Sequence, residues 1–321
     1  MLRQVAVVSK PSVLVVVNPH ASRAEAALRE VERFAEEQPS CLVVKSRSQE
    51  HLSATLREHG PGKDRIIIGG GDGTISCALP ALLELGKPLA VLPLGTANDF
   101  ARTIGVALDL QEATRTAFEG VEQAIDVGIV NGRPFLNVAS IGIPVSVAEA
   151  QSRSLKRRLK IFSYGASLRQ VAQSAKPFTA EVWIDDRPPS IGLAYQVSVG
   201  NGRFHGGGLS VSDHAAIDDG LLDAYIVRPG RFWQLFAALA YLRFGVGGNP
   251  EVLERHSATK VVLRTRKPRP INIDGEICLE TPAEFGIRRQ ALTVLVPRIL
   301  PPGHQGLSRT GSEAGLRAAE L

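Results

Sequence analysis

Gly69-Gly70-Gly71-Asp72-Gly73-Thr74 sets four glycines, a carboxylate and a hydroxyl between an apolar run at residues 66–68 and Ile75, Leu79 and Leu82 at helical spacing. Glycines at such a strand-to-helix junction let backbone N–H groups approach phosphate oxygens, and the helix N-terminus favours negative charge. A carboxylate among them suits a site where Mg²⁺ offsets its charge. A tight turn with no ligand is the plainer alternative for the hexapeptide alone. The segment is not GxGxxG, because Ser76 stands where the third glycine belongs, and no GxxxxGK[ST] occurs anywhere.

A second polar turn, Pro93-Leu94-Gly95-Thr96-Ala97-Asn98-Asp99-Phe100-Ala101-Arg102, follows the apolar run at residues 89–92. Two such turns at the ends of successive parallel strands converge on one crevice. The alternative for this segment is a helix capped by Thr96 or Asn98. Further on, Asp274-Gly275-Glu276 lies between apolar runs at 271–273 and 277–279, the pattern of a hairpin whose tip carries two acids. Asp218-Asp219-Gly220 reads by itself as a solvated turn. The seven histidines show no HExxH and no paired metal spacing.

The elements that must position these residues change character along the chain. Up to about residue 125, short apolar runs at 14–17, 41–44, 66–68 and 89–92 alternate with helical patterns such as Ala24, Leu28, Val31 and Ala35. This predicts a doubly wound α/β domain with a parallel sheet, and ligands at the strand carboxyl ends. After it, Asn131-Gly132 predicts a hairpin turn between residues 126–130 and 135–139. Residues 178–184 alternate with period two, and further strands fit 194–199, 224–227, 261–263, 271–273 and 292–296. Two helices are expected, at 155–172 and 232–244. The predicted organisation is a domain at residues 1–125, a larger antiparallel β domain at 126–300, and a mobile tail at 301–321.

Composition narrows the function class. The chain has 321 residues, 44% hydrophobic and 21% charged, which excludes a disordered, collagen-like or coiled-coil protein. A net charge of +5 suits a phosphate-bearing ligand or an anionic surface but is too small to argue nucleic acid. Cys41, Cys77 and Cys278 show no CxxC spacing, so a disulfide framework or structural zinc is not expected and a reducing compartment is. The longest apolar stretch, residues 232–242, is interrupted by Gln234 and is too short to span a bilayer. A soluble or surface-bound protein is expected.

Taken together, Gly70 to Thr74, Pro93 to Arg102, Asn201-Gly202-Arg203 with Gly206-Gly207-Gly208, Asp218-Asp219-Gly220-Leu221-Leu222-Asp223 and Asp274-Gly275-Glu276 resemble, in order, the motifs of the diacylglycerol kinase catalytic-domain superfamily. The nearest likeness is to its bacterial lipid kinases. The resemblance implies a nucleotide-binding α/β domain followed by a β-sandwich domain, and transfer of the γ-phosphoryl group of ATP to a lipid hydroxyl, with diacylglycerol the leading acceptor. It implies nucleotide contacts from Asn18, Gly70, Gly71, Asp72, Gly73, Thr74, Gly95, Thr96, Asn98 and Asp99. It also implies Mg²⁺ at the nucleotide and a structural Mg²⁺ held by Asp218, Asp219 and the Leu221 carbonyl. Asp274 is the expected base, aided by Glu276, with Asp72 the competing candidate.

Two segments depart from the family pattern. Ser76-Cys77 replaces a more usual Asn-Glu, and Ser212-Asp213-His214-Ala215 replaces a proline-containing segment. The partners implied are a lipid at a membrane surface and no nucleic acid, with a homodimer allowed and a cytoplasmic or peripheral location. Lys156, Arg157, Arg158 and Lys160, and the helix with Phe232, Trp233, Leu235, Phe236 and Tyr241, are candidates for docking on anionic lipid; a solvated charged face and a core helix are the alternatives. The competing functions are an NAD or sugar kinase, which shares the Gly-Gly-Asp-Gly turn, and a non-catalytic nucleotide- or lipid-binding regulator.

Overall fold

A computed structural model describes residues 11–36, 40–142, 176–205, 209–210, 216–244 and 251–299. The expected helix at 155–172, the basic cluster at 156–160, Gly206 to Gly208, residues 212–215 and the tail at 301–321 lie outside the described residues. The chain divides into two compact units that are discontinuous in sequence. Residues up to Gly95, Val106–Gln123 and those from Leu292 form the first; Thr96–Gly105 and Ala124–Ala291 belong to the second.

In the first unit, β1 (Val13–Val17), β2 (Cys41–Lys45), β3 (Arg65–Gly70) and β4 (Leu89–Pro93) form a parallel sheet in the order β2-β1-β3-β4. Every residue of β1 and β4 is buried, which is why these strands read as continuous Val, Leu, Ile and Ala runs rather than alternating ones. Helix α1 (Ala24–Ala35) buries Ala24, Ala27, Leu28 and Val31, one helical face. Ser48 caps α2 (Gln49–His59) by accepting from the His51 N–H at 3.1 Å. Helix α3 (Asp72–Leu85) follows β3 directly and stops at Gly86, whose φ of +60° is the left-handed conformation that glycine adopts without strain. Because β2 and β3 lie on opposite sides of β1, the strand order reverses between β1 and β3. That reversal opens a crevice at their carboxyl ends, where Asn18 and the glycine turn sit.

In the second unit, α4 (Asp99–Thr103) is a short helix, whereas α5 (Leu110–Glu119), capped by Asp109, belongs to the first. Strand β5 (Val121–Val130) turns through Asn131 and Gly132, both at positive φ, into β6 (Arg133–Phe135) with Val130 paired to Arg133. The turn is where Asn-Gly predicts it, but the run expected at 135–139 is divided. Phe135 ends β6, and β7 (Val138–Gly142) joins a different sheet.

The remaining strands are β8 (Phe178–Ile184), β9 (Ser190–Ala194), β10 (Gln196–Gly200), β11 (Phe204–His205), β12 (Leu209–Ser210) and β13 (Leu222–Val227). After helix α6 (Phe232–Phe244) come β14 (Leu253–Ala258), β15 (Lys260–Thr265), β16 (Pro270–Ile273), β17 (Glu276–Glu280) and β18 (Ala283–Val296). An antiparallel sheet β14-β13-β10-β7-β16-β17 faces antiparallel strands β15, β8 and β9 and the first half of β18. Val197, Val199, Leu222, Ala224 and Ile271 from one layer meet Ala180, Val182, Ile184, Leu263 and Phe285 from the other in one core. This is the β-sandwich expected for the second domain. The end of β18 is different: Val294 pairs in parallel with Leu89 of β4, so the run at 292–296 serves the first unit's sheet. Ala238 and Leu242 of α6 pack with Tyr225, Val252 and Leu253 while Trp233 stays exposed. Among the described residues no helix is long and apolar enough to cross a membrane.

Candidate active site

The glycine turn of the first unit is shaped by close approaches. A Cβ on Gly70 would stand 2.5 Å from the Thr74 side chain, and one on Gly71 would stand 3.1 Å from the Gly95 backbone. Leu94 N–H donates to the Gly70 carbonyl at 2.9 Å, so the two polar turns read from the sequence are stitched together at Gly70, Gly71 and Gly95. Asn18, at the end of β1, donates its backbone N–H to Gly69 at 2.8 Å and its side-chain amide to the Thr74 hydroxyl at 3.3 Å.

Gly73 is different. A Cβ there would meet nothing within 4 Å, so no protein packing demands a glycine. Asp72 and Gly73 begin the first turn of α3, the end of a helix that favours negative charge. An open first turn beside a glycine-lined crevice fits the phosphates of a nucleotide. Sequence reasoning missed a residue that supports the arrangement. Arg23 donates to the Leu108 carbonyl at 3.0 Å and to the Pro93 carbonyl, anchoring the base of the second turn. An isolated arginine ahead of a helix gave no signal of this.

Of the second turn, Gly95 falls in the first unit and Thr96, Asn98 and Asp99 in the second. Asn98 adopts φ +51° and precedes α4, whose first residue, Asp99, is buried. Nearby in the same unit, Gly202 lies against the Leu136 carbonyl and Thr103, and Asn201 donates its side-chain amide to the carbonyls of Asp126 at 3.0 Å and Leu136 at 3.2 Å. The Asn201-Gly202 motif thus braces the loop between β6 and β7.

The tip of the β16–β17 hairpin is Asp274-Gly275, both at positive φ, with Ile273 paired to Glu276. The Asp274 carboxylate turns back into the protein and accepts the N–H groups of Leu136 at 2.9 Å, Asn137 at 2.9 Å and Val138 at 3.0 Å. Glu276 is oriented differently: its side chain is 40% exposed, with the Arg133 guanidinium 4.0 Å away.

Asp219 accepts from the Leu221 N–H at 2.8 Å and the Ala216 N–H at 3.4 Å. Burial pushes its carboxyl up to about 6, and the neighbouring carboxylates of Asp223 and Asp126 push in the same direction against those two hydrogen bonds. Asp126, which sequence reading placed only in a strand, holds Gly220 N–H and Gln290 N–H at 2.7 Å each. Among the described residues no three His, Cys, Asp or Glu side chains are grouped as a metal site. Even so, oxygen donors from Asp218, Asp219 and the Leu221 carbonyl, in a locale where like charges disfavour the Asp219 carboxylate, suit a hard cation in chemical type.

Known proteins share both halves of this architecture. The diacylglycerol kinase catalytic domain matches residues 12–130, and the YegS C-terminal NAD kinase beta sandwich-like domain matches residues 137–296. The chain belongs to the diacylglycerol kinase catalytic-domain family. A protein of Chromohalobacter salexigens named "Probable lipid kinase YegS-like" is 30% identical over 74% of this chain and 77% of its own. One of the same name from Pseudomonas syringae pv. syringae is 35% identical over 75% and 78%. The crystal structure of a candidate diacylglycerol kinase from Bacillus anthracis matches with a TM-score of 0.76 at 28% identity, over 89% of this chain and 98% of that one. An NAD kinase from Archaeoglobus fulgidus, solved in complex with ATP, shares the fold at a TM-score of 0.51 and 13% identity, over 94% and 99% of the two chains. Membership in this kinase family gives the glycine turn a nucleotide-binding context and makes the chain a kinase by family.

Proposed function

We propose that this protein transfers the γ-phosphoryl group of ATP to a lipid hydroxyl, with diacylglycerol as acceptor and phosphatidic acid as product, a step of phospholipid metabolism at the cytoplasmic face of a membrane. The observation that carries the reading is the strand-order reversal between β1 and β3, with Gly73 left open over the first turn of α3. The β- and γ-phosphates lie along Gly70 to Thr74 and Gly95, and Asn18 orients Thr74 toward them. Asp72 would hold Mg²⁺, which would supply charge neutralisation for the polyphosphate when bound. Asp218, Asp219 and the Leu221 carbonyl would hold a second, structural Mg²⁺.

In the transfer, a bond forms between the acceptor oxygen and Pγ, and the bond from Pγ to the β-bridging oxygen breaks, leaving ADP. The hydroxyl proton passes to a carboxylate. The hydrogen bonding of Asp274 favours a positioning role for it, since taking a proton would disturb acceptance from three backbone donors. We therefore assign the proton to Glu276, the more accessible member of the pair, with Asp274 fixing the hairpin that presents it. Radiolabelled ATP incubated with diacylglycerol in mixed micelles, and separately with NAD, tests the reading. Labelled phosphatidic acid is expected. Labelled NADP, or no label in lipid, overturns it.

A further inference from the structure

Strands β8, β9 and β15 bury one face in the sandwich core through Ala180, Val182, Ile184 and Leu263. On their other face, among the described residues, Ile191 and Leu193 of β9 are exposed rather than packed into that core. In register across this face, Thr179 pairs with Leu193, Glu181 with Ile191 and with Arg264, and Trp183 with Val262. Ile191 is 62% exposed and Leu193 51%, two aliphatic side chains side by side on one face of the strand at the end of the sheet. Apolar neighbours this exposed mark an interaction surface more often than isolated ones do.

The charge beside this apolar pair is basic. Arg264-Thr265-Arg266-Lys267-Pro268-Arg269 places four cations at the end of β15, with Arg264, Arg266 and Lys267 exposed. Arg264 lies over the Trp183 ring at 5.1 Å, and Arg269 over Phe178 at 4.3 Å. A cavity of about 330 Å³ opens there, lined by Phe178, Thr179, Thr265, Arg266, Lys267 and Arg269, with no acid among them. Two acids share the neighbouring sheet face. Glu181 faces Arg264 in register, and Glu284 is paired with Lys260 at 2.6 Å, leaving the positive excess at the strand end.

A second strand is not the natural occupant. The edge of β9 is already engaged, because Arg228 donates to the Leu193 carbonyl at 3.2 Å while its guanidinium is held by Glu254 at 2.7 Å. What remains is a face that offers aliphatic and aromatic groups beside clustered guanidinium and ammonium donors. That combination matches the interfacial zone of a bilayer containing anionic lipid, where apolar side chains enter the headgroup region and cations meet phosphate oxygens.

We propose that the outer face of β8, β9 and β15, with the cationic end of β15, docks this protein on anionic bilayers through Ile191, Leu193, Arg264, Arg266 and Lys267. The inference rests on the lipid-kinase reading, which requires access to a substrate held in a membrane. Co-sedimentation tests it on vesicles of phosphatidylcholine alone and of phosphatidylcholine mixed with phosphatidylglycerol, without ATP or diacylglycerol. The wild type is expected to favour the anionic vesicles. The pairs Arg266→Glu with Lys267→Glu and Ile191→Ser with Leu193→Ser should each lower that partition on the order of 10-fold, with unchanged melting temperatures.

Variants that bind anionic vesicles like the wild type overturn the proposal, as does equal wild-type binding to neutral vesicles. So does a dimer in sedimentation velocity that the Ile191→Ser, Leu193→Ser pair dissociates, which would make a second copy the occupant. A wild type that shows the expected binding but phosphorylates no diacylglycerol in detergent micelles refutes the kinase reading and leaves the docking surface standing.

Discussion

Asp274 and Val138 exchange two hydrogen bonds: the Asp274 N–H donates to the Val138 carbonyl at 2.9 Å, and the Val138 N–H returns to the Asp274 Oδ1 at 3.0 Å. The carboxylate extends this exchange to Leu136 and Asn137, so one side chain satisfies three consecutive backbone donors of a loop. Such a residue specifies where its hairpin sits. Glu276, two residues on, gains a defined position from that anchor.

Asp274→Asn and Glu276→Gln should therefore separate stability from chemistry. Asp274→Asn turns an amide N–H₂ toward a backbone donor and weakens charge-assisted hydrogen bonds, so its unfolding free energy should fall by about 1–3 kcal/mol. Glu276→Gln should unfold like the wild type but lose roughly 10²–10⁴-fold in single-turnover phosphoryl transfer. Denaturant melts and quench-flow on both variants decide the assignment. Full single-turnover activity in Glu276→Gln would move the proton to Asp274 or Asp72.

Gly73→Ala should affect ligand binding and not folding. The new methyl meets no protein atom within 4 Å, and alanine in a helical first turn is at least as favourable as glycine, so stability should stay level or rise by about 0.4–1 kcal/mol. The same methyl intrudes where phosphate is proposed to lie, and ATP affinity should drop by about 10-fold or more. Gly70→Ala provides the contrast, since its Cβ would collide with Thr74 at 2.5 Å and the fold itself should suffer. Isothermal titration with a non-hydrolysable ATP analogue, paired with thermal melts, reads both.

Much of this was legible in local sequence. Continuous Val, Ile and Leu runs located β1, β3 and β4 to within two residues, because burial on both faces leaves no room for polar alternation. The glycine turn was legible for a related reason: closely approaching backbone leaves few alternatives to glycine at Gly70 and Gly71. Strand β14, Leu-Glu-Arg-His-Ser-Ala, escaped notice because it is an edge strand with few apolar residues. The inward commitment of Asp274, the grip of Asp126 on Gly220 and Gln290, and the anchor from Arg23 to Pro93 all join residues 70 or more positions apart. No local pattern encodes such partners.

Arg23→Ala should loosen the second polar turn. Losing the guanidinium leaves the Pro93 and Leu108 carbonyls short of a donor, a cost of about 1–3 kcal/mol where no water replaces it. If Gly95 helps hold nucleotide, KM for ATP should rise several-fold while kcat changes less. Arg23→Lys, which keeps one cationic donor, should recover part of the affinity. Steady-state kinetics at varied ATP, with lipid saturating, would reject the positioning role if Arg23→Ala left KM unmoved.

Asp219 makes the stability of the protein depend on pH in an unusual direction for a carboxylate. Its folded value of about 6 lies above the ordinary 3.8, so between these the native state holds more protons than the unfolded chain. The group's favourable contribution is complete below about 3.8 and is lost as pH rises through about 6. The residue is only partly buried, so the loss should be about 1–2 kcal/mol rather than the full value of the shift. The cation proposed at Asp218 and Asp219 would oppose this by binding the ionised native form, so Mg²⁺ should restore stability above pH 6 in proportion to its concentration. Asp219→Asn should flatten the pH slope and abolish the Mg²⁺ response together. Melting temperatures measured from pH 4 to 8, in chelator and in Mg²⁺, provide the check. A Mg²⁺ shift of equal size in wild type and Asp219→Asn would show that the stabilising cation binds somewhere else.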